Sequence, residues 1–462
     1  MNFAKSRQNS NKEHSGNHER VRLFSSGRSS VTDPNILSLL NMGSCDVTSF
    51  RKTGSTSTIG AIFIVMNAAL GAAMLNMPNA FAQAGGISSS LLVQFVFVIF
   101  AYGGLLMLGF CAEFQESSVY QEVMRSMGGK KLEILTESII LVYAFSTCVS
   151  FMVLGTDQGS NICELFLGSE DYNKHATMYR YLTTLVISTC IILPLSLPKD
   201  VSFLQYPSIM CTFAVGYVTF LVIIESFVLN EDVKITESPD SFEAVLNVVP
   251  TIAFGFQCHV SSVPVYSGLR NRNLKNWSLI TFCAICVCFF VYSSVGTCGY
   301  LTFGNSVADD ILDAYATTSF PAIIGRFFVV VSTTMSYPVL HFCGRASLES
   351  ITRKIMRMTD DEGRRTWNHR YYYQTLTWFV LAMIVAMIIP SINTIIKPVG
   401  AFSALFIMGL PGFAFIKASE RIRTEIGTFK YLLMNAIGMI FIAVSAFLFG
   451  QSFTSGVYSI LG

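Results

Sequence analysis

The chain has 462 residues, of which 52% are hydrophobic and 13% are charged, and its formal net charge is +2. An average soluble protein carries about 25% charged residues, so a water-soluble enzyme or nucleic-acid-binding module is excluded. The composition predicts a chain that lies in the lipid bilayer, with no nucleic-acid partner.

The elements follow one another along the chain as a polar tail and then a series of apolar runs. Residues 1–55 are rich in Ser, Asn, Arg and Lys, which predicts a disordered cytosolic tail. Residues 56–462 contain about eleven apolar runs of roughly 20 residues, the length that crosses a bilayer as a helix. We therefore predict an all-α membrane protein with about eleven transmembrane helices.

Basic residues are distributed unevenly between the loops on the two sides. If the N-terminus is cytosolic, about 26 of the 31 lysines and arginines fall in cytosolic segments. The loops on the other side are acidic and include Asp309, Asp310 and Asp313. This asymmetry predicts a cytosolic N-terminus, and an odd number of spans then places the C-terminus on the lumenal or extracellular side.

Two of the spans are interrupted by residues that break helices. The first runs from Thr58 through Asn67 and Gly71, and the second contains Gly255 and His259 between two prolines. Unpaired backbone at membrane depth is tolerated where it lines a cavity inside the protein, and paired interruptions are typical of transporter binding sites. The pattern predicts two inverted repeats, residues 56–229 and 242–416, and a last helix over residues 428–450.

Several polar side chains lie inside these apolar spans. The carbonyl oxygen of Asn67 could replace part of the hydration shell of an ion, and Ser336 belongs to a hydroxyl cluster that could do the same. Such hydroxyls also bond to carbonyls of their own helix. His259 could make transport sensitive to pH, or its side chain could cap the half-helix that follows the second break. The spans contain few central carboxylates, which favours sodium over proton coupling. They also lack a His/Asp/Glu cluster, so we predict no enzymatic activity, no metal beyond sodium and no cofactor.

Particular strings of residues resemble a known family. They are Asn67-Ala-Ala-Leu-Gly71, Phe254-Gly-Phe-Gln-Cys258-His259-Val-Ser-Ser-Val-Pro264, and Ser336-Tyr-Pro338-Val-Leu-His341-Phe-Cys-Gly344-Arg345. They are similar to those of the sodium-coupled neutral amino acid transporters in the amino acid/auxin permease group. The resemblance extends from about residue 55 to the end of the chain, and within the family it is greatest to the lysosomal exporters of glutamine and asparagine.

The resemblance implies a LeuT-type fold of five plus five inverted helices and one extra helix. It implies a sodium site formed by Asn67 and Ser336, with Thr334 as the next candidate. One difference is that Ala73 stands where the family usually has a second glycine, which predicts a shorter break and less room for the substrate. The implied substrate-binding residues lie at the two breaks: Ala69, Leu70, Gly71, Ala72, Ala73, Phe254, Gly255, Phe256, Cys258 and His259.

The leading hypothesis is a secondary active transporter of small neutral amino acids such as glutamine or asparagine, coupled to sodium and located in the lysosomal or plasma membrane. Two alternatives remain open at this point. One is an amino-acid sensor with a transporter fold, and the other is a carrier driven by protons.

Overall fold

The computed structural model describes residues 56–115, 117–198, 205–229, 233–389 and 391–461. In these ranges the chain is helical, apart from its connections and an isolated bridge between Thr56 and Leu269. The all-α prediction is confirmed. The tail predicted for residues 1–55 lies outside the described residues.

The helices are numbered here in chain order within the described ranges. They are α1 (Thr58–Ala69), α2 (Ala73–Gln83), α3 (Ile87–Gln115), α4 (Tyr120–Leu167), α5 (Ser169–Lys174), α6 (Ala176–Ile187), α7 (Leu193–Ser196), α8 (Gln205–Val228), α9 (Phe242–Leu246), α10 (Val249–Gly255), α11 (His259–Ser267), α12 (Leu274–Phe303), α13 (Ile311–Ala314), α14 (Phe320–Ile355), α15 (Asp360–Arg365), α16 (Trp367–Ile388), α17 (Ile392–Ala404), α18 (Leu410–Arg421) and α19 (Arg423–Leu461). Short π-helical turns join α6 to α7 and α17 to α18.

The number of membrane spans agrees with the number predicted. Ten helical stretches of the described chain are long and apolar enough to cross a bilayer, and α1 with α2 makes an eleventh if the bent pair is one span. Large apolar side chains on the outside of the bundle are exposed, as in Phe220 (64%), Phe282 (55%) and Phe290 (66%). Lipid tails are the surroundings in which such an apolar surface is stable.

The first break separates α1 from α2, which are bent by 56° relative to each other. Leu70 has an extended backbone, with φ −71° and ψ 117°, and helical geometry resumes at Ala72. Gly71 follows at the point of the break, and glycine costs about 1 kcal/mol relative to alanine inside a helix. The sequence therefore has a low helix propensity where α1 ends.

The second break separates α10 from α11 and spans residues 256–258. Pro250 stands in the first turn of α10, where its missing N–H is not needed. Cys258, with φ −126° and ψ 6°, lies outside helical geometry and precedes α11. Both α10 and α11 are short, with 7 and 9 residues, so each is a half-span whose inner end lies in the middle of the bundle.

The two broken spans lie in the centre of the bundle. The long helix α12 packs against α1, α2 and α3, and α10 packs against α17. On the other side of the centre, α4 and α14 form the most extensive helix pair, and α8 packs against α14. The two breaks therefore lie between α12 and the α4–α8–α14 group.

One end of the bundle carries buried ion pairs that involve basic residues. Lys354 at the end of α14 contacts Glu137 near the start of α4 at 2.7 Å, and Arg370 of α16 contacts Glu349 at 2.6 Å. We call this the basic end, defined by Lys354 and Arg370. At the same end the bridge between Thr56 and Leu269 joins the segment before α1 to the segment after α11.

The opposite end carries carboxylates. Asp157 lies near the other terminus of α4, where Arg180 of α6 contacts it at 3.1 Å. Asp309, Asp310 and Asp313 belong to the connection between α12 and α14 and line the same surface recess as Asp157. We call this the acidic end, defined by these four aspartates.

Candidate functional site

A cavity of about 210 Å³ lies between the two breaks. Its walls come from α1, α2, α4, α8, α10, α11 and α14, together with residues of both breaks. The described residues that line it include no Asp, Glu, Lys, Arg or His. Any charged group of a ligand would therefore be held by backbone dipoles and neutral polar side chains.

The first break forms one wall of this cavity. All five residues predicted there line it, from Ala69 through Leu70, Gly71 and Ala72 to Ala73. A Cβ added at Gly71 would meet no atom within 4 Å, so this backbone faces open space. Two of the first amides of α2 are already paired, since Met74 donates to the carbonyl oxygen of Gly71 at 3.1 Å and Leu75 donates to that of Ala72 at 3.2 Å.

The second break contributes only part of the set predicted for it. Phe254 and Cys258 line the cavity, whereas Gly255, Phe256 and His259 are buried elsewhere. The His259 ring nitrogen Nε2 lies 3.0 Å from the carbonyl oxygen of Ala101 in α3. This contact is a hydrogen bond between α11 and α3 rather than a cap of α11, so the function of this histidine stays a prediction.

Sequence reasoning missed Tyr292, which connects the two breaks. Its hydroxyl lies 2.8 Å from the carbonyl oxygen of Ala69 and 3.1 Å from that of Gly255. Both carbonyls are at helix C-terminal ends, where intrahelical partners are missing. The only signal in the sequence is a tyrosine inside the apolar run that forms α12. Tyr292 therefore holds the end of α1 and the end of α10 at one point.

Gln257 was also left out of the predicted set, although it belongs to the string that carries the family resemblance. It lies in the second break, is 6% exposed and lines the cavity. Its position inside a broken span was the available signal.

Two of the three predicted ion ligands lie on the cavity wall. Asn67 lines it and accepts a hydrogen bond at its Oδ1 from the Thr212 hydroxyl at 3.3 Å. Ser336 lines it from α14, with its hydroxyl 3.1 Å from the sulfur of Cys211. Consecutive residues of α8 thus contact both candidate ligands, so Asn67 and Ser336 lie beside the same turn of α8.

Thr334, the third candidate, has a different environment. Its hydroxyl donates to the carbonyl oxygen of Val330, 2.8 Å away in the preceding turn of α14. Its side chain is buried, and Thr334 is not among the residues that line the cavity. The hydroxyl of Thr333 does reach the cavity wall but donates to Val329 at 2.9 Å. Of the three predicted ion ligands, Asn67 and Ser336 therefore reach the cavity and Thr334 does not.

At the acidic end, a polar network joins the α12–α14 connection to α4. The Gln158 amide nitrogen donates to Asp310 Oδ2 and to Asp313 Oδ1, both at 2.8 Å, and Asn161 donates to Asp313 at 2.6 Å. Asp310 also caps α13 through the amide of Leu312. Burial is the main cause that raises the pKa of both carboxyl groups.

Comparison with known proteins identifies the family. Residues 54–455 match the family described as "Transmembrane amino acid transporter protein". Sodium-coupled neutral amino acid transporter 7 of Danio rerio is 38% identical over 412 residues, which cover 88% of each chain. The same-named protein of Mus musculus is 36% identical over 88% of this chain and 89% of its own. Solute carrier family 38 member 8 of Homo sapiens is 31% identical over 87% of this chain and 94% of its own.

A solved structure supports the fold. The crystal structure of MhsT in complex with L-phenylalanine superposes with a TM-score of 0.54 at 10% identity, and covers 87% of this chain and 100% of that chain. This confirms the LeuT-type fold predicted from the sequence. The chain is thus a multi-pass membrane transporter rather than an enzyme, and it belongs to the transmembrane amino acid transporter family, among the sodium-coupled neutral amino acid transporters.

Proposed function

We propose that this chain couples the movement of sodium to that of small neutral amino acids such as glutamine and asparagine, by alternating access around the two breaks. The observation that carries the substrate class is the cavity lining, which within the described residues has no charged side chain. An amino acid with a charged side chain would leave that charge without a partner in a low-dielectric cavity. A net-neutral zwitterion needs only the backbone dipoles of the breaks.

The four helix ends at the breaks supply those dipoles. The N-terminal ends of α2, at Ala73, and of α11, at His259, would direct the positive ends of their helix dipoles at a carboxylate. The C-terminal ends of α1 and α10 present carbonyl oxygens that suit an ammonium group. The ten residues predicted for the substrate belong to these ends, although Gly255, Phe256 and His259 would act from behind the cavity wall.

We place the sodium ion between Asn67 and Ser336. A hard cation prefers oxygen ligands, and the amide carbonyl of Asn67 and the hydroxyl of Ser336 both line the cavity. Thr334 is the weaker candidate because its hydroxyl already bonds within α14. The absence of Asp and Glu from the described cavity lining favours sodium over a proton relay as the coupling ion.

Alternating access would move the spans that contain the breaks against the rest. The bridge between Thr56 and Leu269 joins α1 to α11, and Tyr292 joins α1 to α10 and α12. These connections favour movement of the broken spans as one unit against α4, α8 and α14. The proposed repeats are residues 56–229 and 242–416, with the last helix over 428–450.

The charge distribution supports an orientation with the basic end cytosolic and the acidic end lumenal or extracellular. The N-terminus is then cytosolic and the C-terminus lies on the other side. We propose the lysosomal or plasma membrane as the location, and uptake measured in isolated organelles and at the cell surface would distinguish the two.

Uptake of radiolabelled glutamine into proteoliposomes that contain the purified protein tests this function. We expect accumulation that depends on a sodium gradient and is inhibited by asparagine and alanine. Asn67→Ala should raise the half-saturating sodium concentration at saturating glutamine, because one ion ligand is lost. Accumulation driven by a pH gradient alone would reject the sodium site, and tight binding without flux would indicate a sensor.

A further inference from the structure

Gln257 has a buried hydrogen-bonding group that the protein itself does not use. The residue is 6% exposed, and its amide nitrogen Nε2 is buried without a hydrogen-bond partner. Among the described residues that line the cavity, Gln257 is the one whose side chain has such an unpartnered buried atom. Buried polar groups in native proteins are normally paired, so an exception inside a binding cavity indicates a partner that comes with the ligand.

Neighbouring polar side chains on the cavity wall are already satisfied by the backbone. Thr147 donates to the carbonyl oxygen of Tyr143 at 2.8 Å, and Ser261 donates to that of Cys258 at 2.8 Å. These hydroxyls have used their single donor and can add little to ligand recognition. The carboxamide of Gln257 differs from these two hydroxyls because its amide nitrogen is a buried donor without a partner.

The backbone around Gln257 keeps this side chain in place. Its own amide donates to the carbonyl oxygen of Phe254 across 3.4 Å, which closes a turn at the end of α10. Phe256 beside it is fully buried and packs its ring against Tyr292, with ring centroids 5.3 Å apart. The side chain of Gln257 thus projects from a segment that is held on the opposite side by aromatic packing.

We propose that Gln257 recognises the side chain of the substrate and makes the transporter prefer side-chain amides to apolar side chains of the same size. This inference rests on the proposed function and adds the residue that determines specificity. A carboxamide both donates and accepts, so Gln257 and a glutamine or asparagine substrate form a reciprocal pair of hydrogen bonds. A methionine side chain has a similar length but offers one weak acceptor and no donor, and it leaves the buried amide unsatisfied.

A competition assay tests this proposal with alanine as the transported tracer, because alanine has no side chain that reaches Gln257. Sodium-driven uptake of radiolabelled alanine into proteoliposomes is inhibited with unlabelled glutamine and, separately, with methionine. In Gln257→Met, which keeps the length and approximate volume of the side chain, the preference for glutamine over methionine should fall about 10- to 100-fold. Because the preference is a ratio within one protein sample, it is independent of expression and of the amount of folded protein.

Two further variants make the assay specific. Gln257→Glu keeps the size and an acceptor but removes the amide donor, and it should also lower the preference for glutamine. Gln94→Met makes the same substitution at a buried glutamine of α3 that is not among the residues lining the cavity, and it should leave the preference unchanged. If a Gln257 variant has no flux, the shift of its thermal unfolding midpoint by glutamine and by methionine reports the same ratio.

An unchanged preference in both Gln257 variants, by flux or by thermal shift, would overturn this proposal while leaving the transport function in place. A wild-type protein that moves no neutral amino acid under any gradient would instead reject the proposed function. A selective fall in glutamine inhibition in both Gln257 variants, with Gln94→Met unaffected, supports the assignment.

Discussion

Asp309 connects the half-span α2 to the rest of the bundle at the acidic end, and its removal should open that end. Its Oδ1 accepts hydrogen bonds from the amide of Asn79 in α2 at 2.7 Å and from that of Asn393 in α17 at 3.3 Å. A third bond runs from Asn76 of α2 to the Asp309 backbone carbonyl at 2.7 Å. If α2 moves relative to α17 during transport, these bonds must break when the acidic end opens.

The effect of Asp309→Ala follows from this geometry. The substitution removes the acceptor for Asn79 and Asn393 but leaves the bond from Asn76 to the backbone. Hydrogen bonds that involve a charged group contribute about 1.5–3 kcal/mol each. Because Asp309 is half-buried and its contact with Asn393 is long, we expect the two lost hydrogen bonds to destabilise the closed form by about 2 kcal/mol in total. Since each 1.4 kcal/mol is a factor of ten, the ratio of open to closed forms should rise about 30-fold.

Hydrogen exchange measured by mass spectrometry on the purified protein tests this expectation. Peptides from residues 73–86 should exchange up to about 30-fold faster in Asp309→Ala, in proportion to the open population. Asp309→Asn keeps an acceptor oxygen and should have a smaller effect. Asp171→Ala removes a carboxylate that is 75% exposed on its side chain and pairs with Lys174, so it should change nothing.

The reasoning would be refuted if peptides over residues 73–86 exchanged at the wild-type rate in folded Asp309→Ala. Equal acceleration of peptides from α19 would also contradict it, because that pattern indicates general destabilisation rather than opening at one end.

The remaining predictions concern the ion site, the first break and the acidic end. Ser336→Ala should raise the half-saturating sodium concentration in uptake assays about tenfold, an amount expected for one lost ligand, while Thr334→Val should not; equal effects would place the ion elsewhere. Ala73→Gly should improve the transport of larger neutral amino acids relative to alanine because it removes a methyl group from the cavity wall, and an unchanged substrate ranking would reject that reading. The pKa of Asp313 is raised mainly by burial, so the folded state binds the carboxyl proton of Asp313 more tightly than the unfolded state does. Protonated Asp313 therefore stabilises the fold, and this contribution is lost as pH rises through the raised pKa. Asp313→Asn can still accept a hydrogen bond from Gln158 and stays neutral at every pH. The unfolding midpoint of this variant minus that of the wild type should therefore increase from acid to alkaline pH. A difference that stays constant with pH would contradict the raised pKa of Asp313.

Local properties of the chain are sufficient to predict the spans, the breaks and the family. A membrane helix must satisfy its backbone internally, so its length and apolar composition are visible in the sequence. The first break is predictable because Gly71 follows a run that is otherwise a good helix, and it lies where α1 ends in the structure. All five residues expected on the cavity wall at this break do line it, since an unwound segment exposes its backbone to the cavity on several sides.

The second break shows what depends on tertiary structure. Phe254, Gln257 and Cys258 line the cavity, whereas Gly255 and Phe256 between them do not. Successive residues of a helical turn point about 100° apart, and no local property states which direction faces inward. That choice is made by distant contacts, such as the hydrogen bond from Tyr292 to the Gly255 carbonyl and the packing of α10 against α17. For the same reason the sequence could place Asp309 in an acidic loop but could not show that it contacts both α2 and α17, because such a pairing exists only after the helices have assembled.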